Sequence, residues 1–297
     1  MEKKVLLIIN PVSGTLGARS AMYDVINEFC RCGWTVTTAI TQHRGHASEL
    51  AEKACSQDYD LVCCCGGDGT LNETITGLMR SGTEAPVLGY VPAGSTNDFA
   101  QTLGLPGDSR EAAAMITSGS PRKIDIGKFD DRFYFSYIAS FGAFTQASYS
   151  APQELKNVVG HLAYLLEGIR DISSLKPYRA TVKANGKTID GEFIFGSVSN
   201  TRSVGGIVKL KEEGIDLNDG LFEVILVKRP EGAADMSNIV SGVITSDFSS
   251  SSFEYFKASE VEFTFEKPLS WSLDGERVDG GKTVRITNVH DALKLQK

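Results

Sequence analysis

Small and polar residues follow three predicted strands in the first third of the chain, and their types suit the binding of an anion. These loops are Asn10–Gly14, Gly66–Thr70 and Pro92–Asp98. Glycines let a backbone turn sharply and approach a ligand closely. A helix that begins after such a loop offers unpaired N–H groups and a partial positive charge. The three loops are therefore predicted to hold phosphate groups.

The loop Gly66-Gly67-Asp68-Gly69-Thr70 is the most informative of the three. Thr70 and Glu73 fit a capping box, which predicts that a helix begins there. Asp68 would repel a phosphate unless a cation lies between them, and Mg²⁺ prefers carboxylate and phosphate oxygens. These residues predict a magnesium-assisted phosphate site, with a ligand-free tight turn as the alternative.

Other motifs that bind nucleotides or metals fail on spacing. The upstream glycine of a P-loop is missing before both Gly186-Lys187-Thr188 and Gly281-Lys282-Thr283. A dinucleotide fingerprint is excluded because Asn72 stands where its third glycine is needed. The chain has no Gly-x-Ser-x-Gly elbow of a serine hydrolase. His43 and His46 lack a third ligand nearby, which favours a loop or a solvated helix face over a metal site.

The elements that must position these loops alternate between strand and helix. Strands are predicted at Val5–Ile9, Trp34–Ile40, Asp60–Cys65 and Val87–Val91, and helices over about 18–32 and at Ala47–Ser56. Continuous apolar runs such as the first are typical of strands buried on both faces. The alternation predicts a three-layer α/β domain, with a parallel sheet between two layers of helices.

The second half of the chain is predicted to be mainly antiparallel strands. These strands are Lys123–Phe129, Arg132–Ile138, Tyr178–Ala184, Lys187–Val198, Leu221–Val227, Glu260–Glu266 and Thr283–Thr287, with one helix at Gly160–Leu175. Asn185-Gly186 predicts a hairpin turn. We therefore expect an α/β domain over 1–124 and an antiparallel β-sandwich over 125–287, with the tail 288–297 packed back on the first domain.

Composition limits the class of protein. The chain has 297 residues, of which 41% are hydrophobic and 23% charged, and a formal net charge of −7. This acidic balance argues against broad binding of nucleic acid. No apolar run approaches the roughly 18 residues of a membrane span, so we expect a cytoplasmic protein. Its six cysteines, with Cys63, Cys64 and Cys65 consecutive, are expected to be reduced and buried rather than bound to zinc.

Taken in order, the motifs resemble the diacylglycerol kinase catalytic domain family, in particular its soluble bacterial lipid kinases. They are Asn10-Pro11-x-Ser13-Gly14, Gly66-Gly67-Asp68-Gly69-Thr70-Leu71-Asn72-Glu73, Pro92-x-Gly94-Ser95-x-Asn97-Asp98-Phe99-Ala100, Asn218-Asp219-Gly220-Leu221 and Leu273-Asp274-Gly275-Glu276. The resemblance covers essentially the whole chain. The segment before the fourth motif departs from the family pattern, because its glycines are reduced to Gly205-Gly206. Ser95 replaces the usual threonine but keeps the hydroxyl.

The resemblance implies that ATP binds in a cleft between the two domains. It places these residues around the nucleotide: Asn10, Pro11, Val12, Ser13, Gly14, Thr41, Gly66, Gly67, Asp68, Gly69, Thr70, Leu71, Asn72 and Ser95. Asp68 would organise the catalytic Mg²⁺, with Asp98 and Asp125 in the same hydrogen-bonded network. Glu276 would take the proton from a lipid hydroxyl. A second, structural Mg²⁺ would bind Asp216, Asp219 and the carbonyl of Leu221. Without the resemblance, the turn at Asn218-Asp219-Gly220 and the turn at Leu273-Asp274-Gly275-Glu276 both fit simple hairpins.

The expected function is transfer of the γ-phosphate of ATP to the hydroxyl of diacylglycerol or a related lipid, which gives phosphatidic acid. A lipid substrate implies transient contact with a membrane surface, and a homodimer is left open. Two rival hypotheses are a kinase of a soluble nucleotide such as NAD and a non-catalytic sensor of lipids or nucleotides. Two motifs together favour a lipid substrate over NAD, namely Asn97-Asp98-Phe99-Ala100 and Asp274-Gly275-Glu276. The presence of every expected acidic residue argues against a sensor.

Overall fold

The computed structural model describes residues 2–13, 18–82, 84–94, 97–142, 175–201, 203–204, 208–209 and 216–297. The chain divides into two compact units, one of residues 1–126 with 291–297 and the other of residues 127–290. The fold class expected from the sequence is confirmed: parallel strands with helices come first, and an antiparallel β-sandwich region follows.

The first unit alternates strands and helices along the chain. Its elements are β1 (Lys3–Ile9), α1 (Ala18–Arg31), β2 (Trp34–Ile40), α2 (His46–Ala54), β3 (Leu61–Gly66), α3 (Asp68–Arg80), β4 (Val87–Pro92), α4 (Asp98–Leu103) and α5 (Ser109–Ser118). The parallel strands lie in the order β2, β1, β3, β4. Residues at the C-terminal end of the chain add a further parallel strand, since Leu295 pairs with Leu88.

Apolar strands explain this layered arrangement. Every residue of β3 is buried, as expected for a strand covered on both faces. Alternate side chains point to opposite faces: Cys63 belongs to a core that includes Phe29 of α1 and Ile116 of α5. Cys64 instead lies beside Thr74 of α3, on the opposite face of the strand. The helices therefore cover both faces of the sheet.

The cysteines are all free, but only some of them are buried. Cys63, Cys64 and Cys65 lie in the core of the first unit, and burial contributes to the raised pKa of the Cys64 thiol. Cys30 and Cys32 are exposed near the end of α1. The expectation of buried thiols is wrong for these two, because Cys30 occupies an exposed position of α1 and Cys32 lies in the turn that follows this helix.

The second unit consists mainly of antiparallel strands. The elements are β5 (Pro121–Phe129), β6 (Phe133–Phe135), β7 (Ile138–Gly142), β8 (Tyr178–Ala184), β9 (Lys187–Ser199), β10 (Ser203–Val204), β11 (Val208–Lys209), β12 (Phe222–Lys228), α6 (Ala233–Thr245), β13 (Phe253–Ala258), β14 (Glu260–Phe265), β15 (Ser270–Leu273), β16 (Glu276–Asp279) and β17 (Thr283–Gln296). The first and last of these strands, β5 and β17, each belong partly to the first unit. Neighbouring strands run β16, β15, β7, β9, β8, β14, β17, and β12 joins β9 to β13.

Aromatic side chains fill the core of this unit. Phe141, Phe263 and Trp271 are fully buried, and their ring centroids lie 4.9–5.8 Å apart. Such edge-to-face contacts stabilise a core beyond the area that they bury. Asn185 and Gly186 form the predicted hairpin turn between β8 and β9, both with positive φ. The strands of this unit therefore share one buried, largely aromatic core.

Several elements differ from those predicted. The strand expected at Arg132–Ile138 is two strands, β6 and β7, because Ser136 and Tyr137 leave the ladder and donate hydrogen bonds to the carboxylate of Asp274. β13 and α6 were not predicted. The helix expected at Gly160–Leu175 lies outside the described residues. Among the helices that are described, none combines the length and the apolar character needed to cross a membrane.

Candidate functional site

Asp68 lies at the centre of the candidate site of the first unit. It is the first residue of α3, and its carboxylate accepts hydrogen bonds from the backbone N–H groups of Asp98 (3.1 Å) and Phe99 (3.3 Å), the first residues of α4. A carboxylate at a helix N-terminus stabilises the helix by satisfying N–H groups that have no intrahelical partner. Asp68 therefore ties the starts of two helices together and links two of the predicted phosphate loops.

The two loops also touch through their backbones. A Cβ atom added to Gly94 would lie 2.5 Å from the Cα atom of Gly67, and one added to Gly67 would lie 3.1 Å from the Cα atom of Gly94. In addition, Ala93 N donates to the carbonyl oxygen of Gly66 (2.8 Å). This close approach explains why both loops have glycine at the crossing point.

Asn97 shapes the loop before α4. It adopts a left-handed conformation (φ 51°, ψ 48°), and its side chain accepts from Gly94 N and donates to the Gly94 carbonyl, each at 2.9 Å. The buried Tyr90 hydroxyl donates to Asn97 Oδ1 at 3.3 Å. Burial raises the pKa of the Tyr90 hydroxyl, and the negative charge of Asp68 raises it further. The motif that contains Asn97 is recognisable from the sequence, but nothing in the sequence indicates the part played by Tyr90.

The predicted capping box is wrong. Gly67, not Thr70, precedes the first residue of α3, so Thr70 lies inside the helix, where its Oγ1 accepts from Asn10 Nδ2 at 2.8 Å. Glu73 accepts from Gly45 N (2.8 Å) and Ala47 N (3.3 Å), and thus caps α2 instead. Glycines at the start of α3 let the helix begin three residues earlier than the box predicts.

The remaining residues predicted to contact the nucleotide lie mostly at the carboxyl ends of β1, β2 and β3. Asn10 and Thr41 follow β1 and β2, and Thr41 N donates to the Ile9 carbonyl at 2.9 Å. Exposed or half-buried positions are occupied by Pro11, Val12, Ser13, Gly67, Gly69 and Asn72, whereas Gly66, Thr70 and Leu71 are buried. Gly14 and Ser95 lie outside the described residues. The described members therefore share one sheet edge, the usual location of ligands in a parallel α/β fold.

Asp125 is buried and accepts a hydrogen bond from Asp291 N at 2.9 Å. Lys123, two residues earlier, pairs with the side chain of Asp291 at 2.5 Å. These contacts join β5 to the last strand of the chain within the first unit. The expectation that Asp125 shares a network with Asp68 stays a prediction.

His43, His46 and Glu49 lie close enough for one ligand atom of each to fall within 4.8 Å of the others. Glu49 is the third group that seemed to be missing from the sequence. However, the two imidazole rings are stacked, with centroids 4.7 Å apart and planes 15° apart, and His46 Nδ1 accepts from Gln42 N. Lone pairs lie in the ring planes, so nearly parallel rings do not converge on one ion. The group fits a stacked surface pair better than a metal site.

The loop predicted to bind a structural metal lies in the second unit. Asp216 Oδ1 accepts from Asn218 N at 3.1 Å, and Asp219 Oδ1 accepts from Leu221 N at 2.9 Å. Both are local turns in which an aspartate binds its own backbone two residues on. Carboxylate oxygens in such turns keep a further lone pair, so they still fit a hard cation that prefers oxygen ligands.

A lysine that the sequence analysis missed also reaches this loop. Lys257 Nζ lies 3.1 Å from Asp219 Oδ2 and 3.1 Å from Glu223 Oε1. Glu223 is only 1% exposed, and burial raises its pKa even though Lys257 opposes the rise. Lys257 therefore supplies positive charge to both carboxylates, and a cation at the loop would share Asp219 with it.

Glu276 and its neighbours form a tight hairpin turn. Leu273 pairs with Glu276 across β15 and β16, and the two residues between them, Asp274 and Gly275, have φ of 48° and 87°. Two successive residues with positive φ form the turn that matches the twist of a two-residue hairpin. Glu276 is exposed at the start of β16, whereas Asp274 is buried.

Comparison with known proteins agrees with this arrangement. Residues 4–129 match the family described as the diacylglycerol kinase catalytic domain, and residues 138–296 match the YegS C-terminal NAD kinase beta sandwich-like domain. A diacylglycerol kinase of Bacillus subtilis (strain 168) is 34% identical, with 92% of this chain and 90% of the relative aligned. One from Staphylococcus aureus (strain MRSA252) is 31% identical, with 95% and 88% aligned.

A solved structure supports the fold separately. The crystal structure of a diacylglycerol kinase from Bacillus anthracis superimposes with a TM-score of 0.77 at 21% identity, over 99% of this chain and 96% of that one. This likeness shows the fold, which is an α/β unit with glycine-rich loops followed by an antiparallel sandwich. The sequence comparisons are more specific, and the chain belongs to the diacylglycerol kinase family.

Proposed function

We propose that the protein transfers the γ-phosphate of ATP to the hydroxyl of diacylglycerol and releases ADP and phosphatidic acid. The observation that carries the proposal is the Asp68 carboxylate, which joins the glycine loop before α3 to the start of α4. Phosphoryl transfer depends mainly on positioning and on neutralising the charge that spreads over the phosphate oxygens. The glycine loop before α3, held in backbone contact with the loop before α4, supplies N–H donors for that task.

In this proposal the residues of the first unit hold the nucleotide. Backbone N–H groups around Gly67 and Gly69 bind the phosphates, with Thr41, Ser95 and the Asn10–Gly14 segment beside the rest of the nucleotide. Asp68 holds Mg²⁺, which would neutralise phosphate charge when bound. The carboxylate fits this role because the backbone N–H groups of Asp98 and Phe99 fix its orientation, and Mg²⁺ prefers carboxylate oxygens as ligands. Asp98 and Asp125 belong to the same hydrogen-bonded network as Asp68 in this proposal.

Residues of the second unit are proposed to act on the lipid. The acceptor hydroxyl oxygen bonds to the γ-phosphorus as the bond from that phosphorus to the oxygen of the leaving ADP breaks. Glu276 takes the hydroxyl proton, for which a carboxylate suffices because the proton becomes acidic only as the new bond forms. Asp216, Asp219 and the Leu221 carbonyl are proposed to hold a structural Mg²⁺. Because the substrate is a membrane lipid, the protein would contact a membrane surface transiently.

The test is ADP release from Mg²⁺-ATP with a panel of lipids in mixed micelles. The panel contains diacylglycerol, monoacylglycerol, a sphingoid base and an undecaprenyl-type alcohol, and NAD is the soluble control. We expect turnover with diacylglycerol and none with NAD. Phosphorylation of NAD without lipid turnover would establish the rival kinase of a soluble nucleotide, and ligand binding without any ADP release would favour a sensor.

A further inference from the structure

Asp274 is a buried carboxylate with an unusually complete set of donors. Its Oδ2 accepts from Ser136 N (2.6 Å) and Ser136 Oγ (2.7 Å), and its Oδ1 accepts from Tyr137 N and Ile138 N, both at 3.0 Å. Its own backbone N–H donates to the Ile138 carbonyl at 2.9 Å. The side chain therefore binds the short segment between β6 and β7 through both of its oxygens.

The ionised form of Asp274 is the one that these contacts need. A neutral acid or an amide could not accept hydrogen bonds at both oxygens from donors on both sides. Burial raises the pKa of Asp274, and the hydrogen bonds from Ser136, Ile138 and Tyr137 oppose that rise. A buried charge is retained only where such partners compensate for lost hydration, so this carboxylate has a specific structural task.

That task concerns the turn which carries Glu276. Asp274 is the first of the two turn residues between Leu273 and Glu276, and β15 pairs with β7 through Leu273 and Ala139. The carboxylate thus fastens the tip of the hairpin to the start of β7, two residues from Glu276. A two-residue turn attached at its first residue has little freedom left, so the backbone of Glu276 is fixed with it.

We propose that Asp274 is a positioning residue, whose carboxylate fixes the β15–β16 turn so that Glu276 is presented in one orientation to the acceptor hydroxyl. The catalytic part of this inference rests on the proposed role of Glu276 as the base. The structural part, the attachment of the turn to Ser136–Ile138, stands independently of that role.

The test combines kinetics with amide hydrogen exchange in full-length protein. Asp274→Asn keeps the side-chain size, and asparagine tolerates the left-handed conformation well. The variant removes the negative charge and places an amide NH₂ against donors that the carboxylate accepts from. Asp279→Asn is the matched control, because Asp279 lies on the same hairpin but is exposed. Each substitution is made in the wild type and in Glu276→Gln, and kcat, KM for ATP and exchange at residues 136–138 are measured.

A misplacement of about 1 Å at a reacting group costs roughly 10²-fold in rate, so we expect kcat to fall about 10- to 100-fold in Asp274→Asn with KM for ATP unchanged. In the Glu276→Gln background the same change should lower kcat by less than about twofold, because groups that act as one unit are not additive. Exchange at 136–138 should accelerate in both backgrounds. Asp279→Asn should change none of these quantities.

Two results would overturn the inference. An equal loss of kcat with and without Glu276 would show that Asp274 acts through the general stability of the unit, and unchanged exchange at 136–138 would show that it does not fix the turn. If Glu276→Gln itself leaves kcat unaltered, the proposed base is wrong and the catalytic part of the inference falls with it. The exchange result then still decides the structural part, so the two failures are distinguishable.

Discussion

The contact between Gly67 and Gly94 gives the sharpest prediction about the nucleotide site. In Gly94→Ala the new Cβ would lie 2.5 Å from the Cα atom of Gly67 and 2.8 Å from Asn97 Oδ1, whereas ordinary contact begins at 3.4 Å. The loops must therefore separate by about 0.9 Å, the difference between 3.4 and 2.5 Å. The atom that must move is backbone at the start of α3, so Asp68 moves with it.

A displacement of this size should affect catalysis more than folding. Since a shift of about 1 Å costs roughly 10²-fold, we expect kcat/KM for ATP to fall about 30- to 100-fold in Gly94→Ala. Gly67→Ala should lose less, because its Cβ would lie 3.1 Å from the nearest atom, the Cα of Gly94. Gly107→Ala is the control, since a Cβ there meets nothing within 4 Å and should leave the rate unchanged.

The assay is the initial rate of ADP release as a function of ATP concentration, with thermal unfolding followed by circular dichroism on the same samples. The expected order of rates is Gly107→Ala, then Gly67→Ala, then Gly94→Ala. Full activity in Gly94→Ala with a normal melting temperature would refute the reasoning, because the loop contact would then not determine the geometry of the site.

Three further predictions concern charged groups. Asp68→Ala should lower turnover by about 10²–10⁴-fold, the usual contribution of a positioned ionisable group, while circular dichroism shows an intact fold; a near-normal rate would remove Asp68 from the site. Lys257→Met leaves Glu223 buried without its cation and should lower the free energy of unfolding at pH 7 by about 2–3 kcal/mol, below the value for a fully buried pair because Lys257 is partly exposed. Because burial raises the pKa of Glu223, its proton is held more tightly in the folded state than in the unfolded state. The loss of stability in Lys257→Met should therefore shrink as the pH falls towards the ordinary pKa of 4.5, and it should persist at low pH only if Glu223 is not responsible. Urea denaturation from pH 4 to 8 measures this loss, with Lys257→Met/Glu223→Gln as the control that removes both charges. Finally, Mg²⁺ should raise the melting temperature of the wild type but not of Asp219→Asn, and a melting temperature independent of Mg²⁺ in the wild type would argue against a structural metal at that loop.

The sequence predicted the parallel half of the fold well because its signals are local. Runs such as Val5–Ile9 are continuous, as strands buried on both faces must be, and β2 begins and ends at the predicted residues Trp34–Ile40. The hairpin at Asn185-Gly186 follows from residues that favour positive φ. α6 was missed because its thirteen residues include just one charged side chain, Asp235, so its polar face has little contrast with its apolar face.

Predictions that depend on distant contacts were less successful. Glu73 was assigned to its own helix, but its carboxylate binds N–H groups of Gly45 and Ala47, which lie 28 and 26 residues away. The partners of Asp274 are separated from it by 136–138 residues. No local pattern distinguishes a turn aspartate that faces solvent from one that binds a remote segment, so the simple hairpin was the natural interpretation of that motif.

The most direct test of the account is to follow ³²P from the γ-position of ATP into lipid extracted from mixed micelles that contain diacylglycerol. The proposal predicts that the wild type places the label in phosphatidic acid in equal amount to the ADP released, and that Asp68→Ala and Glu276→Gln each lower both quantities together by about 10²–10⁴-fold. Label released as inorganic phosphate, or undiminished labelling of lipid by either variant, would contradict it.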